Sequence, residues 1–410
     1  MKKSIVALLL VVFIDAAGIG ILFPILSDII MSPQSHFLAV ETSIAQREFL
    51  YGMTIAVFFF CWFIGATYLS KTSDQIGRKR ALLICLCGIF IGYGLTALAI
   101  AFNCLTLLIL GRILGGITAG SQPVAQAAII DISSKQERTK NLGLIMFAFA
   151  LGMVAGPIIG GVLSDTFLVS WFNHQLPFYL VLVLVLVNIF LLISCYQEQP
   201  PQKNEAYHFN VIELVTQFGG VFKNKNVLKL SIIFFMMQIA FNTFYVFLPV
   251  YLYRQYQYGV LMNSAVMLVL GLAMAISSIV LVPLLAKRSS QKQNVMMGLI
   301  VMALSLSLML CDIAHYGAFI FGGVLMLCFG VAYTNMLGLF SHAVSEKEQG
   351  WVMGITVSLF TSGAAITSLF SGKLLDIALE LPFILVVIVF VMSVVMLKIL
   401  TIGTYINKDS

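Results

Sequence analysis

The chain has 410 residues, 60% of them hydrophobic and 10% charged, with a mean hydropathy of +1.02 and a formal net charge of +6. Soluble globular domains carry about 25% charged residues, so a water-soluble enzyme or binding module is excluded and a polytopic membrane protein is indicated. The net positive charge carries no nucleic-acid reading, because no basic patch is interleaved with exposed aromatics.

The first apolar run covers residues 4–30. Lys2 and Lys3, an apolar stretch and then Ala16-Ala17-Gly18 have the outline of a signal peptide. The run continues to Ile30, however, too long for a typical h-region, and reads as a retained first helix. Inside it lies Asp15. A carboxylate at the centre of a membrane helix costs about 2.5–3.5 kcal/mol on insertion scales, and by default it marks an ion or proton pathway.

Further apolar runs follow at 48–70, 81–101, 105–130, 141–164 and 175–196, then at 228–253, 259–286, 294–313, 317–341, 351–375 and 381–402. Each approaches the ~20 residues that cross a hydrocarbon core. The sequence therefore predicts an all-α membrane protein of twelve transmembrane helices. The longest polar stretch, 197–210, divides it into six-helix bundles at 1–196 and 228–410, joined by a linker at 197–227. Within the linker Ile212, Val215, Phe218 and Phe222 share one helical face, which suggests a helix lying in the cytoplasmic interface. An even number of spans puts both termini on one side. With the N-terminus in the cytoplasm, all 23 Lys and Arg fall on the cytoplasmic side except Arg47, Arg112, Arg254 and Lys373. This is the positive-inside asymmetry.

The loop after span 2 reads Asp74-Gln75-Ile76-Gly77-Arg78-Lys79-Arg80. An acid closes one helix, Gly77 permits a tight turn, and bases open the next helix. Topological charge bias accounts for the bases but not for the Asp and Gly spacing. Span 4 carries Arg112 with Gly115, Gly116 and Gly120. At 1.5 Å per residue Arg112 lies about 10 Å below the outer surface, and Asp15 about 17 Å above the inner one. The depths nearly meet, so the two could interact if helices 1 and 4 are neighbours; the alternative is an Arg snorkelling to the outer headgroups. Span 5 carries Gly152, Gly156, Pro157, Gly160 and Gly161. Glycines four apart make a smooth face for close helix approach, and Pro157 favours a kink. Taken alone, ordinary small-residue packing accounts for this face better than a functional hinge does.

A weak repeat supports two related halves. Residues 143–165 and 354–376 align without a gap, sharing Gly143/Gly354, Phe149/Phe360, Gly152/Gly363, Gly161/Gly372, Leu163/Leu374 and Asp165/Asp376. Paired repeats around a central path are a transporter architecture. The seven cysteines show no metal spacing and read as small packing residues. The five histidines are scattered near span ends or in loops, with no HExxH, so a membrane-embedded enzyme and a metal site are not expected.

These motifs resemble the major facilitator superfamily over nearly the whole chain. Within it the chain looks like the twelve-span drug/proton antiporters, and most closely the tetracycline efflux type. Asp74 through Lys79 resembles the loop 2–3 signature, departing from it at Ser70 (usually Gly) and Arg80 (frequently Pro). Arg112 with its glycines resembles the span-4 signature, and Gly152 through Gly161 the span-5 antiporter signature. Asp15 through Gly20 with Pro24 resembles the first helix of the tetracycline efflux type, and Gln349, Gly350 and Gly354 its span 10–11 junction. The resemblance implies the major facilitator fold. It implies that Asp15 is the proton-coupling acid and that Arg112 holds or relays its charge. It further implies that Asp74, Arg78 and Asp131 form a cytoplasmic latch of the outward-facing state. Polar residues in apolar helices are the candidates for the substrate cavity: Gln122, Gln126, Gln238, Asn242, Tyr333 and Asn335; for each the alternative is an interhelical hydrogen bond. With so few acids in the spans, few protons per cycle and a neutral or cationic amphipathic substrate are expected.

The function expected is proton-coupled export of a small organic molecule, either a drug-like compound or an endogenous metabolite such as a siderophore. The alternative is a proton-coupled importer on the same fold. The resemblance places the protein in a bacterial cytoplasmic membrane with both termini cytoplasmic. It implies a monomer, no cofactor beyond the proton gradient, and protons, substrate and lipid as partners.

Overall fold

The computed structural model describes residues 2–133, 138–198, 219–311, 316–345 and 348–399. Among the described residues no strand occurs, and the helices are α1 (Lys2–Met31), α2 (Ile44–Ile76), α3 (Arg78–Ala101), α4 (Leu105–Thr118), α5 (Ser121–Ile132), α6 (Arg138–Ser164), α7 (Leu176–Cys195), α8 (Lys225–Tyr256), α9 (Val260–Ile276), α10 (Val282–Ala286), α11 (Gln291–Leu310), α12 (Gly317–His342), α13 (Gln349–Ile377) and α14 (Leu381–Ile399). They form twelve spans long and apolar enough to cross a membrane. The proposed interfacial helix falls mostly outside the described residues. Only its end is described, helical at 219–223 with Phe222 exposed.

Two spans are broken. The fourth is α4 and α5 with a turn at Ala119-Gly120 between them. The eighth is α9 and α10 joined by a π-helical turn, Ser277–Leu281. Pro283 lacks the N–H that would bond the carbonyl four residues back, at Ile279, and its ring crowds that carbonyl. A wider turn accommodates this. Helix starts follow capping chemistry. Ser43 and Ser290 each form a capping box, with Gln46 and Gln293 respectively.

The chain divides into two compact units, Met1–Phe209 with Leu252–Leu268, and Asn210–Tyr251 with Val269–Ser410. In the first unit α1 and α6 make the most extensive helix contact. Cβ atoms built on Gly152, Gly156 and Gly160 would lie 2.5, 2.4 and 3.1 Å from the carbonyl oxygens of Phe13, Ala17 and Ile21. Both sets are spaced four apart, so a row of glycines lies on a row of helix carbonyls. Nothing larger than hydrogen fits at Gly152 and Gly156, and Gly160 would take a methyl only if its neighbour gave way slightly. Pro157, inside the continuous helix α6, sets its Cδ against Gly20, so the ring is a packing group on α1. Gly161 faces Ser264 of α9 instead.

In the second unit Gly363 of α13 faces Phe235, Gln238 and Ile239 of α8 at 3.6–3.8 Å. Gly152 faces Phe13, Ala16 and Ala17. The two sets of neighbours differ by a constant offset of 222 (235 − 13, 238 − 16, 239 − 17), so the repeat is a structural one. The second seam is looser, at ordinary van der Waals distance.

Three of the four basic residues that break the positive-inside pattern are engaged inside the first unit. Arg47 is 2% exposed and donates to the carbonyls of Ile30 (2.8 Å), Ala39 (2.9 Å) and Thr42 (3.2 Å). It satisfies a carbonyl at the end of α1, where helical partners run out. Arg254 pairs with Glu48, which is fully buried. Arg112 belongs to the candidate site.

Candidate functional site

The seam with α6 fixes the backbone of α1 on both sides of Asp15. Its side chain lines a cavity of about 30 Å³ with Tyr93, Arg112, Gln122, Phe58 and Phe149. That is room for one or two waters. Arg112 is 2% exposed, and its Nη2 donates to Thr96 Oγ1 at 2.9 Å. Its guanidinium carbon lies 5.6 Å from the Phe58 ring centre and 5.5 Å from that of Tyr93. Two aromatic faces offset part of the desolvation of the buried cation. Its Nε–H has no protein partner. Arg112 is therefore a buried residue of the first unit and does not reach for headgroups. Asp15 and Arg112 share the cavity but form no ion pair.

Tyr93 sits between them. A Cβ on Gly18 would fall 1.7 Å from the Tyr93 hydroxyl oxygen, so the phenol end packs directly on the glycine one turn beyond Asp15. Phe178 of α7 stacks behind the ring at 6.0 Å. Sequence reading missed Tyr93. Its one signal was Gly18, and that becomes meaningful only once α3 is known to lie against α1.

On the loop between α2 and α3, Arg78 Nε bonds Asp131 Oδ2 at 3.1 Å, and its Nη1 bonds Ser73. The Asp74 side chain falls outside the described ones, so its part in the expected cluster is not seen. Lys79 does different work. Its Nζ bonds the carbonyls of Ile193 (2.8 Å) and Tyr196 (3.2 Å) at the end of α7, while its backbone N–H donates to Glu198 Oε1 at 3.1 Å. A base thus caps one helix C-terminus and an acid caps the N-terminus of α3, each at the dipole end that favours it. Gly77 has φ +94°, which only glycine adopts freely. Burial and the Glu198 and Asp131 carboxylates push the Tyr196 hydroxyl well above the usual tyrosine range.

The remaining cavity candidates divide between the units. Gln122 lines the Asp15 cavity, and Gln126 lies half-buried one turn on in α5. In the second unit Gln238 is fully buried with no partner for either end of its amide, and Asn242 donates to its backbone carbonyl at 2.8 Å. Tyr333 sits among Phe234 and Phe329. Asn335 accepts from Asn294 of α11 at 3.2 Å and donates to Val331 O at 2.9 Å, the interhelical hydrogen bond that was its alternative. Besides Asp15 and Asp131, two further acids lie in the spanning helices. Glu48 is fully buried near the start of α2, and Asp28 of α1 pairs with His174 at 3.0 Å. Among the described residues no group of three His, Cys, Asp or Glu is placed to hold a metal.

The model of the Major Facilitator Superfamily matches residues 8–368. The chain belongs to the Major Facilitator Superfamily. It is a multi-pass membrane carrier of that superfamily. It is 26% identical over 370 residues to the class E tetracycline resistance protein of Escherichia coli, covering 88% of this chain and 84% of that protein. It is 24% identical over 386 residues to the quinolone resistance protein NorA of Staphylococcus aureus (strain Mu50 / ATCC 700699), covering 93% and 92%. Among solved superfamily structures, a D-xylose–proton symporter superposes with a TM-score of 0.75 at 14% identity, covering 97% of this chain and 98% of that one. The last likeness shows the superfamily fold.

Proposed function

We propose that this chain is a proton-coupled exporter of a small organic molecule, working by alternating access. The observation that carries the reading is Asp15, a carboxylate in the middle of the first span, facing a water-sized cavity that also holds the buried Arg112. A membrane carboxylate of this kind can carry a proton across. Proton binding shifts the balance between two states wherever its affinity differs between them. Relatives named for tetracycline and quinolone resistance support drug-like substrates, and the glycine seam from Gly152 to Gly160 supports an antiporter. An endogenous metabolite such as a siderophore suits the same chemistry. The carrier acts as a monomer in the bacterial cytoplasmic membrane with both termini cytoplasmic. It needs the proton gradient and no cofactor.

Purified protein in liposomes with an imposed pH gradient tests the proposal, with tetracycline and a quinolone as probes. Wild-type protein accumulates at least one of them against its gradient, and a protonophore abolishes this. Asp15→Asn keeps the size and hydrogen-bonding capacity of the side chain but takes up no proton, and it exchanges probe without concentrating it. Accumulation by Asp15→Asn that still collapses with the protonophore would move the proton site to another acid. Probe movement down the proton gradient, in symport, would establish the importer reading instead.

A further inference from the structure

We propose that Tyr93 couples Asp15 to Arg112, acting as a positioning residue that passes the protonation state of the acid on α1 to the base on α4. The inference rests on the proton-coupling reading of Asp15 and adds the residue that transmits it.

Four observations carry it. Asp15 and Arg112 line one cavity without an ion pair, so no direct contact fixes one to the other. Tyr93 lines the same cavity, its hydroxyl against Gly18 on the α1 face that carries Asp15, its ring face toward the guanidinium at 5.5 Å. Arg112 is held to α3 a second time through Thr96, three residues after Tyr93, so α3 and α4 move together at this depth. The buried Arg112 Nε–H has no protein partner and the cavity has room for water. A bridging water needs two to four polar partners, and Asp15, Tyr93, Gln122 and Arg112 supply them.

The titratable and charged groups facing Asp15 from the helices packed around it are Tyr93 and Cys85 of α3 and Arg112 of α4. The other helices present Phe58 and Trp62 (α2), Gln122 (α5) and Phe149 (α6). Of these groups only Tyr93 touches both partners' surroundings.

The cycle follows from hydrogen-bond direction. With Asp15 ionised, the Tyr93 O–H donates to a cavity water that in turn donates to the carboxylate, and the ring stays fixed over Arg112. When Asp15 takes a proton from cavity water, the carboxyl itself becomes a donor. The Tyr93 oxygen then accepts through the water, and the hydrogen-bond path from the carboxylate to the Arg112 Nε–H is broken. Tyr93 keeps its own proton throughout.

Tyr93→Phe keeps the ring and the Arg112 contact and removes only the hydroxyl. In the liposome assay we expect probe binding within about threefold of wild type and normal downhill exchange. Uphill accumulation should fall roughly tenfold, the effect of one charge-assisted hydrogen bond. The midpoint of the pH profile of exchange should move by about one pH unit. Gly18→Ala displaces the phenol with the hydroxyl still present and should lose coupling in the same way. Gly18→Ala with Tyr93→Leu should recover thermal stability but not accumulation. Wild-type accumulation and pH midpoint in Tyr93→Phe, with Asp15→Asn uncoupled, would sink the role of Tyr93 and leave that of Asp15 standing. Uphill transport by Asp15→Asn itself would overturn both.

Discussion

The carboxylate of Glu198 fills the space that a side chain on Gly77 would occupy. A Cβ there would come within 2.4 Å of Glu198 Oε1. The same carboxylate caps the backbone N–H of Lys79, whose ammonium returns to the end of α7. The glycine of the loop motif thus answers two demands, a positive φ and a carboxylate seat. The second ties the first residues of the central linker to the loop between α2 and α3.

Gly77→Ala should therefore lower the thermal midpoint of the purified protein in detergent, from roughly 1–3 kcal/mol of backbone strain together with the clash. Adding Glu198→Ala should recover part of the loss, because it clears the clash and leaves only the strained φ. No recovery in the double variant would show that Glu198 does not occupy this seat.

The seam between α1 and α6 makes a contrast between glycines that the sequence treats alike. Gly152→Leu and Gly156→Leu should abolish transport while the protein still inserts, since each side chain would be driven into the backbone of α1. Gly354→Leu, at a repeat-related glycine with no atom within 4 Å of a built Cβ, should transport normally. Equal effects at Gly152 and Gly354, measured as accumulation per inserted protein, would contradict the seam.

Glu48 is fully buried and its partner Arg254 keeps 28% of its side-chain exposure. Removing the two should not be equivalent. Arg254→Met takes the cationic partner from a carboxylate that stays buried and should destabilise more, by about 1–3 kcal/mol, than Glu48→Gln, which leaves an arginine able to reach water. Thermal melts of both variants in one detergent check the order. A larger loss in Glu48→Gln would reverse it.

Orientation is open to a direct check. On a cysteine-free background, Phe167→Cys in the exposed loop between α6 and α7 should react with an impermeant thiol reagent in intact cells. Arg288→Cys, in the exposed turn before α11, should react only after lysis. The opposite pattern would invert the topology drawn from Lys and Arg.

The spans and Asp15 were legible in the sequence because each is a one-dimensional signal: a run long enough to cross a bilayer, or a charge where none should be. The seam was half legible. The four-residue spacing of Gly152, Gly156 and Gly160 announced a close approach but not that Phe13, Ala17 and Ile21 would supply it. Tyr93, the Lys79–Glu198 caps and the Glu48–Arg254 pair were not legible at all. Each joins residues at least 75 positions apart, and its meaning depends on which helix lies beside which. Lys79 looked like topological charge, and Arg254 like an unexplained exception to it. Only their neighbours distinguish a charge that meets water from one that caps a helix or neutralises a buried acid.

The glycine row on α6 also sets an order of events during synthesis. The carbonyls of Phe13 and Ala17 receive their partners only when Gly152 and Gly156 have been made, some 135 residues (152 − 17) after Ala17. At ~5–20 residues per second this is a wait on the order of ten seconds. Throughout it the first helix sits in the membrane with Asp15 unsheltered by α6. The acid meets its neighbours on α2, α3 and α4 first, and only Phe149 of α6 closes its cavity at the end of that wait. Variants that weaken the seam should be caught by membrane proteases at that stage, as truncated early fragments and not as full-length protein that fails to transport.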